Sequence, residues 1–169
     1  AVLLTHAHID HSGLLPRLVA AGFNGRIFAT RATVDLSHVM LLDSAHIQEK
    51  EAESRERSPR TGHRAPTAAL PPLYTVAETE QCCGHFRGVA YDEMVTPCAG
   101  VRCRWRDAGH ILGAAILEVW IEDRGTTRKF VFSGDIGQPG QPVVRDPTPI
   151  AEADYLLVES TYGNRLHKS

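Results

Sequence analysis

Thr5-His6-Ala7-His8-Ile9-Asp10-His11 decides how the rest of this chain is read. Its pattern, H-x-H-x-D-H, places four side chains able to ligate a metal almost next to one another. In an extended stretch, side chains two apart point the same way, so His6 and His8 can converge on one ion. Asp10 and His11, at the turn into a following helix, can then serve a neighbouring ion. Imidazole nitrogen combined with carboxylate oxygen suits zinc, and a catalytic zinc keeps one position open for water. The competing reading is a run of surface histidines. With 9 His and 9 Asp in 169 residues, four such positions coincide in only about one in a thousand chains of this kind.

Outward from this segment, residues 1–5 read as a short buried strand and residues 12–21 as a helix with apolar spacing at Leu14, Leu15, Leu18 and Val19. Ser12 is the expected N-cap and Gly22 the expected stop. A second strand is expected at residues 25–30. A long helix is expected over 32–57, with Val34, Val39, Leu41, Leu42 and Ile47 as its apolar positions and a charged, solvated tail. Residues 58–72, with five prolines and glycines and no apolar period, read as a loop. Residues 75–86 read as a helix in which Thr75 and Glu78 have the capping-box spacing. Strands follow at 101–106, 114–122, 129–133 and 155–159. Helices and strands interleave, so the expected class is α/β or α+β with layered sheets.

Two later turns supply matching ligand types. Asp107-Ala108-Gly109-His110 follows the alternating strand, and Ser133-Gly134-Asp135-Ile136-Gly137 follows an apolar one. Each would put one side chain, His110 or Asp135, at a strand end. Taken singly, either is an ordinary glycine turn.

The length fits about one domain. Hydrophobic residues at 43% and charged residues at 22% are close to the globular average, which argues against a disordered or low-complexity chain. The longest apolar runs fall well short of the roughly 20 residues that a bilayer crossing needs. A formal charge of -2 does not mark a bulk nucleic-acid binder, so phosphate recognition would have to come from a local patch or a metal. Cys82, Cys83, Cys98 and Cys103 form no C-x-x-C pair and read as reduced cytosolic thiols, a Cys98–Cys103 disulfide being the alternative. The chain is expected to be soluble, cytoplasmic and without a membrane partner.

The order H-x-H-x-D-H, then His110, then Asp135 resembles the metallo-β-lactamase superfamily. Residues 107–115, residues 132–137 and above all Leu156-Leu157-Val158-Glu159-Ser160-Thr161-Tyr162-Gly163-Asn164-Arg165 are similar to its β-CASP branch, whose members process nucleic acids. The resemblance implies an α/β fold, the αββα sandwich, and a zinc-dependent phosphodiesterase acting on RNA. It implies two zinc ions, with manganese or iron as alternatives: one on His6, His8 and His110, the second on Asp10 and His11, with Asp135 bridging. Such an ion pair, about 3.5–4 Å apart, holds and acidifies a water that attacks phosphorus. Asp10 is then the residue to accept the water's proton. Glu159 matches an acidic motif that orients a leaving-group histidine, although on its own it reads as a capping or surface carboxylate. The family also carries an Asp-bearing strand before the first motif, an inserted β-CASP domain and a last ligand histidine. Residues 1–169 are therefore expected to be a partial metallo-β-lactamase domain, truncated at both ends. The other functional readings are a hydrolase of small esters or thioesters and a non-catalytic scaffold in an RNA-processing complex. Homo-oligomerisation is left open.

Arg102, Arg104 and Arg106 share one strand face, as a phosphate-contacting stripe or, as preferred here, the wet face of an amphipathic strand. His38, His46, His63 and His85 have no ligand partners in the sequence and read as surface or packing histidines. His167 is left without a role.

Overall fold

Alternation along the first strands sets up two layers. In the computed structural model, which describes residues 1–57, 71–161, 163 and 164, β1 (Val2–Leu3), β2 (Ile27–Thr30) and β3 (Phe86–Val89) form a parallel sheet in that order. Val2, Leu4, Ile27 and Ala29 point to one face, where they meet Leu15, Leu41 and Cys82 from the helices. Leu3 and Phe28 point to the other face and pack on Cys103, Trp105, Leu117 and Val119 of a second sheet. Burial on both faces is what parallel strands require.

The second sheet has five strands in sequence order: β4 (Val95–Cys98), β5 (Val101–Asp107), β6 (Ala115–Asp123), β7 (Thr126–Phe132) and β8 (Tyr155–Leu157). Neighbours are antiparallel except β7 and β8, which run parallel. The β6–β7 hairpin closes on Arg124 and Gly125, both at positive φ (49° and 76°), as a two-residue turn between twisted strands demands. Among the described residues the layers are therefore helices, three-stranded sheet and five-stranded sheet.

The helices are α1 (Ile9–Ser12), α2 (Leu15–Ala20), α3 (Arg31–Arg57) and α4 (Val76–Cys83). The expected single helix over 12–21 is corrected to two. Ser12 is the last residue of α1 and not an N-cap: it is fully buried, and its hydroxyl donates to the carbonyls of Ala7 and His8 at 2.8 and 3.0 Å. The helix expected over 75–86 ends at Cys83, and Phe86 opens β3 instead, since it completes the apolar face over the helices. Its capping box between Thr75 and Glu78 is present as expected. In α3, Leu41 is buried but Val39 and Ile47 are exposed, so the buried stripe runs through Thr33, Ser37, Leu41 and Ala45. The tail of α3 is not wholly solvated, because Gln48 and Glu49 accept the amides of Leu73 and Val76 and tie α3 to the start of α4. β4 has no counterpart among the expected strands, its Pro97 having masked it. Most of the expected loop over 58–72 lies outside the described residues, as do His63, Tyr162, Arg165 and His167.

Candidate metal centre

The first segment of the site leaves β1, and two bonds fix it against the second sheet. Trp105, fully buried, donates its indole N–H to the Leu4 carbonyl at 3.0 Å, and the Thr5 carbonyl accepts the Ala115 amide at 2.9 Å. The chain then runs extended to His8 (φ -53°, ψ 146°) before α1 begins. His6 and His8 therefore face one point, with His6 Nε2 and His8 Nδ1 3.1 Å apart. The Nδ1 of His6 lies 3.1 Å from the Thr5 hydroxyl. The tautomer that donates Nδ1–H to Thr5 leaves the Nε2 lone pair for a ligand, as metal-binding imidazoles require.

β5 and β7 run in the same direction and end beside this segment. After β5, Asp107 accepts the Gly109 amide at 2.9 Å, closing the turn that presents His110. The far side of that turn is held by the buried hydroxyls of Thr30 and Thr33, which donate to the Gly113 carbonyl at 2.7 and 2.8 Å. After β7, the turn carrying Asp135 lies backbone to backbone against the His110 turn, with the Gly137 amide donating to the Ala108 carbonyl at 2.9 Å. A β-carbon at Gly137 would overlap the Gly109 carbonyl, so this approach needs glycine. Gly134, at φ 54°, places the same turn against Thr5.

His6, His8, His110 and Asp135 each offer a ligand atom, all within 4.8 Å of one another, and so could hold a metal ion. His110 Nε2 is 3.2 Å from His8 Nδ1, and Asp135 Oδ2 is 3.6 and 3.5 Å from the Nε2 atoms of His6 and His110. Ligand atoms about 2.1 Å from one tetrahedral ion stand roughly 3.4 Å apart, so this donor set fits zinc in both chemistry and spacing. The other oxygen of Asp135, Oδ1, lies 3.4 Å from His11 Nε2, which is in turn 3.5 Å from Asp10 Oδ2. One carboxylate thus faces two donor sets. His6 is wholly buried, and its pKa is lowered to about 3, first by burial and then by the neighbouring imidazoles of His11, His8 and His110, with Asp10 opposing. Its neutral form is the one a metal binds.

Glu159 lies beyond β8 and accepts the Ile136 amide at 2.7 Å. With His110, Asp135, Val143, Val158 and Ser160 it lines an open cleft of about 790 Å³ that leads to the donor cluster.

Sequence reasoning missed Glu118. It is 2% exposed on β6, on the face away from the first sheet, and its carboxylate meets Arg104 at 2.6 Å, Lys129 at 2.7 Å and Arg106 at 3.7 Å. Burial alone would raise its pKa, but hydrogen bonds from Lys129 and Arg104 outweigh that and hold it below the ordinary value. The signal was available, since an acid within the apolar run of residues 114–121 must find a cation. Of the three arginines of β5, only Arg102 stands in solvent; Arg104 and Arg106 are half-buried against Glu118, and Arg106 also meets Asp92 at 2.9 Å. His46 is exposed, His38 packs edge-on to Phe86, and His85 bonds the Gly25 carbonyl. The four cysteines are free, and no described helix is long and apolar enough to cross a membrane.

No family model matches the chain. Over 168 residues, 99% of its length, the chain is 33% identical to a protein of Thermus thermophilus named ribonuclease TTHA0252, of which it covers 33%. It is 31% identical over 169 residues to the cleavage and polyadenylation specificity factor 73 of Drosophila melanogaster, covering 22% of it, and 29% identical over 164 residues to the transcription termination factor FttA of Methanothermobacter thermautotrophicus, covering 23%. The chain thus spans a third or less of these relatives. Among solved structures, BJP-1, a subclass B3 metallo-β-lactamase of Bradyrhizobium japonicum, matches 95% of this chain and 57% of its own at a TM-score of 0.50 with 18% identity, which establishes the shared fold. The chain therefore has the metallo-β-lactamase fold and is similar, along nearly all of its own length, to part of each of these relatives.

Proposed function

We propose that the protein is a metal-dependent phosphodiesterase that hydrolyses RNA, and that this chain supplies most of its metal ligands. The observation that carries the reading is the Asp135 carboxylate, with one oxygen toward His6 and His110 and the other toward His11. In this reading His6, His8 and His110 hold one ion, Asp10 and His11 a second, and Asp135 both, with zinc the best match to the donors. The ions, when bound, would supply an acidified water and draw charge from the phosphate. Relatives named as a ribonuclease and as a cleavage factor support RNA as the substrate.

The chain's own side chains divide the remaining work. Asp10, with its side chain 74% exposed at the rim and joined to the cluster through His11, is free to take a proton from the attacking water and pass it to solvent. Asp135, on a strand-end turn bonded to the His110 turn, keeps the donor sets in register. The cleft beside Asp135 and Glu159, within the usual size range of small-ligand sites, gives a nucleotide room to reach the cluster.

The test is an end-labelled RNA oligomer offered to the full-length protein beside a thioester substrate. RNA cleavage that disappears in His8→Ala and Asp135→Ala supports the reading. Turnover of the thioester alone overturns it.

A further inference from the structure

We propose that Glu159 is a positioning residue for the metal centre: its carboxylate clamps the turn that presents Asp135, so that metal affinity depends on Glu159 as a hydrogen-bond acceptor. The inference rests on the ligand roles proposed above and adds to them a support from a separate strand.

The turn at residues 133–137 has no secondary structure of its own, and its geometry is imposed from outside. At its start, the Ser133 amide donates to the Leu157 carbonyl at 2.9 Å, carrying the β7–β8 pairing one step further. The Ser133 hydroxyl then donates to the Gly134 carbonyl and accepts the Glu159 amide at 3.0 Å, so the backbone of Glu159 is itself seated on the turn. From that seat the Glu159 side chain reaches forward, and Oε1 takes the Ile136 amide at 2.7 Å. The next amide, that of Gly137, goes to Ala108. Asp135 is thus bracketed, with the residue after it tied to Glu159 and the one after that tied to the His110 turn.

This bracketing matters because Asp135 has a narrow task. Its two oxygens must face three imidazoles at 3.4–3.6 Å in two directions at once. A binding constellation tolerates roughly half an ångström of misplacement. Without the Glu159 bond the turn is fixed at Ser133 and Gly137 only, and the peptide following Asp135 is free to rotate between those points. A carboxylate accepting a backbone N–H makes a short, strong bond, well suited to stopping that rotation. An amide oxygen in the same place makes the same bond without the charge, which separates a clamp from long-range attraction to a cation.

The experiment is metal binding, read by competition with a chromophoric zinc chelator, on full-length wild type, Glu159→Ala, Glu159→Gln and Ser133→Ala, with circular dichroism confirming the fold of each. Glu159→Ala is expected to weaken zinc binding about tenfold, the lower end of the effect of residues that orient ligands. Ser133→Ala is expected to weaken it in the same direction, and Glu159→Gln to stay within about twofold of wild type, because the acceptor survives. Zinc binding by Glu159→Ala equal to wild type overturns the clamp and leaves the proposed function standing. Equal weakening in Glu159→Gln and Glu159→Ala also overturns it, because charge alone would then be acting. If wild type takes up no metal, the proposed function falls and the clamp with it.

Discussion

Gly137 and Gly109 meet backbone to backbone, so closely that a β-carbon on Gly137 would overlap the Gly109 carbonyl oxygen. This contact locks together the two turns that present Asp135 and His110, one from the end of β7 and one from the end of β5. Gly137→Ala should force them apart. Overpacking of this kind costs about 1–3 kcal/mol, and urea unfolding should show it together with weaker metal binding. An unchanged midpoint and unchanged affinity would mean that the turns move independently.

Asp10 and Asp135 should differ in what their loss removes. In the proposed reading Asp10 meets the donors through His11, whereas Asp135 turns one oxygen to His6 and His110 and the other to His11. Asp10→Ala is expected to lose about one equivalent of bound metal and to lower kcat by roughly 10²–10⁴, the range for a lost proton acceptor. Asp135→Ala is expected to weaken both sites. Elemental analysis of the two variants after desalting separates these outcomes, and equal loss in both would contradict the division.

Thr33 supports the far side of the turn that carries His110. Its buried hydroxyl donates to the Gly113 carbonyl, beside a second bond from Thr30. Thr33→Val keeps the shape and removes one donor, so the expected cost is about 1–2 kcal/mol in unfolding free energy. A thermal melt checks it. Stability equal to wild type would show that the Thr30 bond alone holds the turn.

Glu118 predicts a pH dependence with a definite sign. Its pKa in the fold lies below the ordinary 4.5, burial being outweighed by hydrogen bonds from Lys129 and Arg104. The folded state therefore binds this proton less readily than the unfolded one. The contribution is fully present above about pH 4.5 and is lost as pH falls below it, toward the folded value. Breaking a buried pair by removing one partner costs about 3 kcal/mol, so Glu118→Gln should be destabilised by up to that amount at pH 7. The gap to wild type should narrow as pH is lowered below 4.5. A gap independent of pH would contradict the assignment.

Much of this molecule was legible in its residues because the relevant signals were local. The spacing of His6, His8, Asp10 and His11 carried the donor pattern, and the glycine turns at His110 and Asp135 marked strand ends. The Thr75–Glu78 capping box is a four-residue signal, and it stands in the structure as read. What was not legible was decided by pairing across the chain. Ser12 looked like a cap because it precedes an apolar helical run, but the chain had already turned at Ile9, and its hydroxyl was drawn inward to the carbonyls of Ala7 and His8. Arg104 and Arg106 looked like the wet face of a strand until β6 brought Glu118 beneath them. The bond from Glu159 to Ile136 joins residues 23 apart through the parallel β7–β8 pair, a register that no local pattern specifies.

Whether Asp135 joins two donor sets into one dinuclear centre is decided by titrating the metal-free full-length protein with zinc in a calorimeter. A dinuclear centre joined by Asp135 saturates at about two equivalents in wild type and loses both high-affinity steps in Asp135→Ala. Saturation of wild type at a single equivalent, or a two-equivalent isotherm that survives Asp135→Ala, would contradict it.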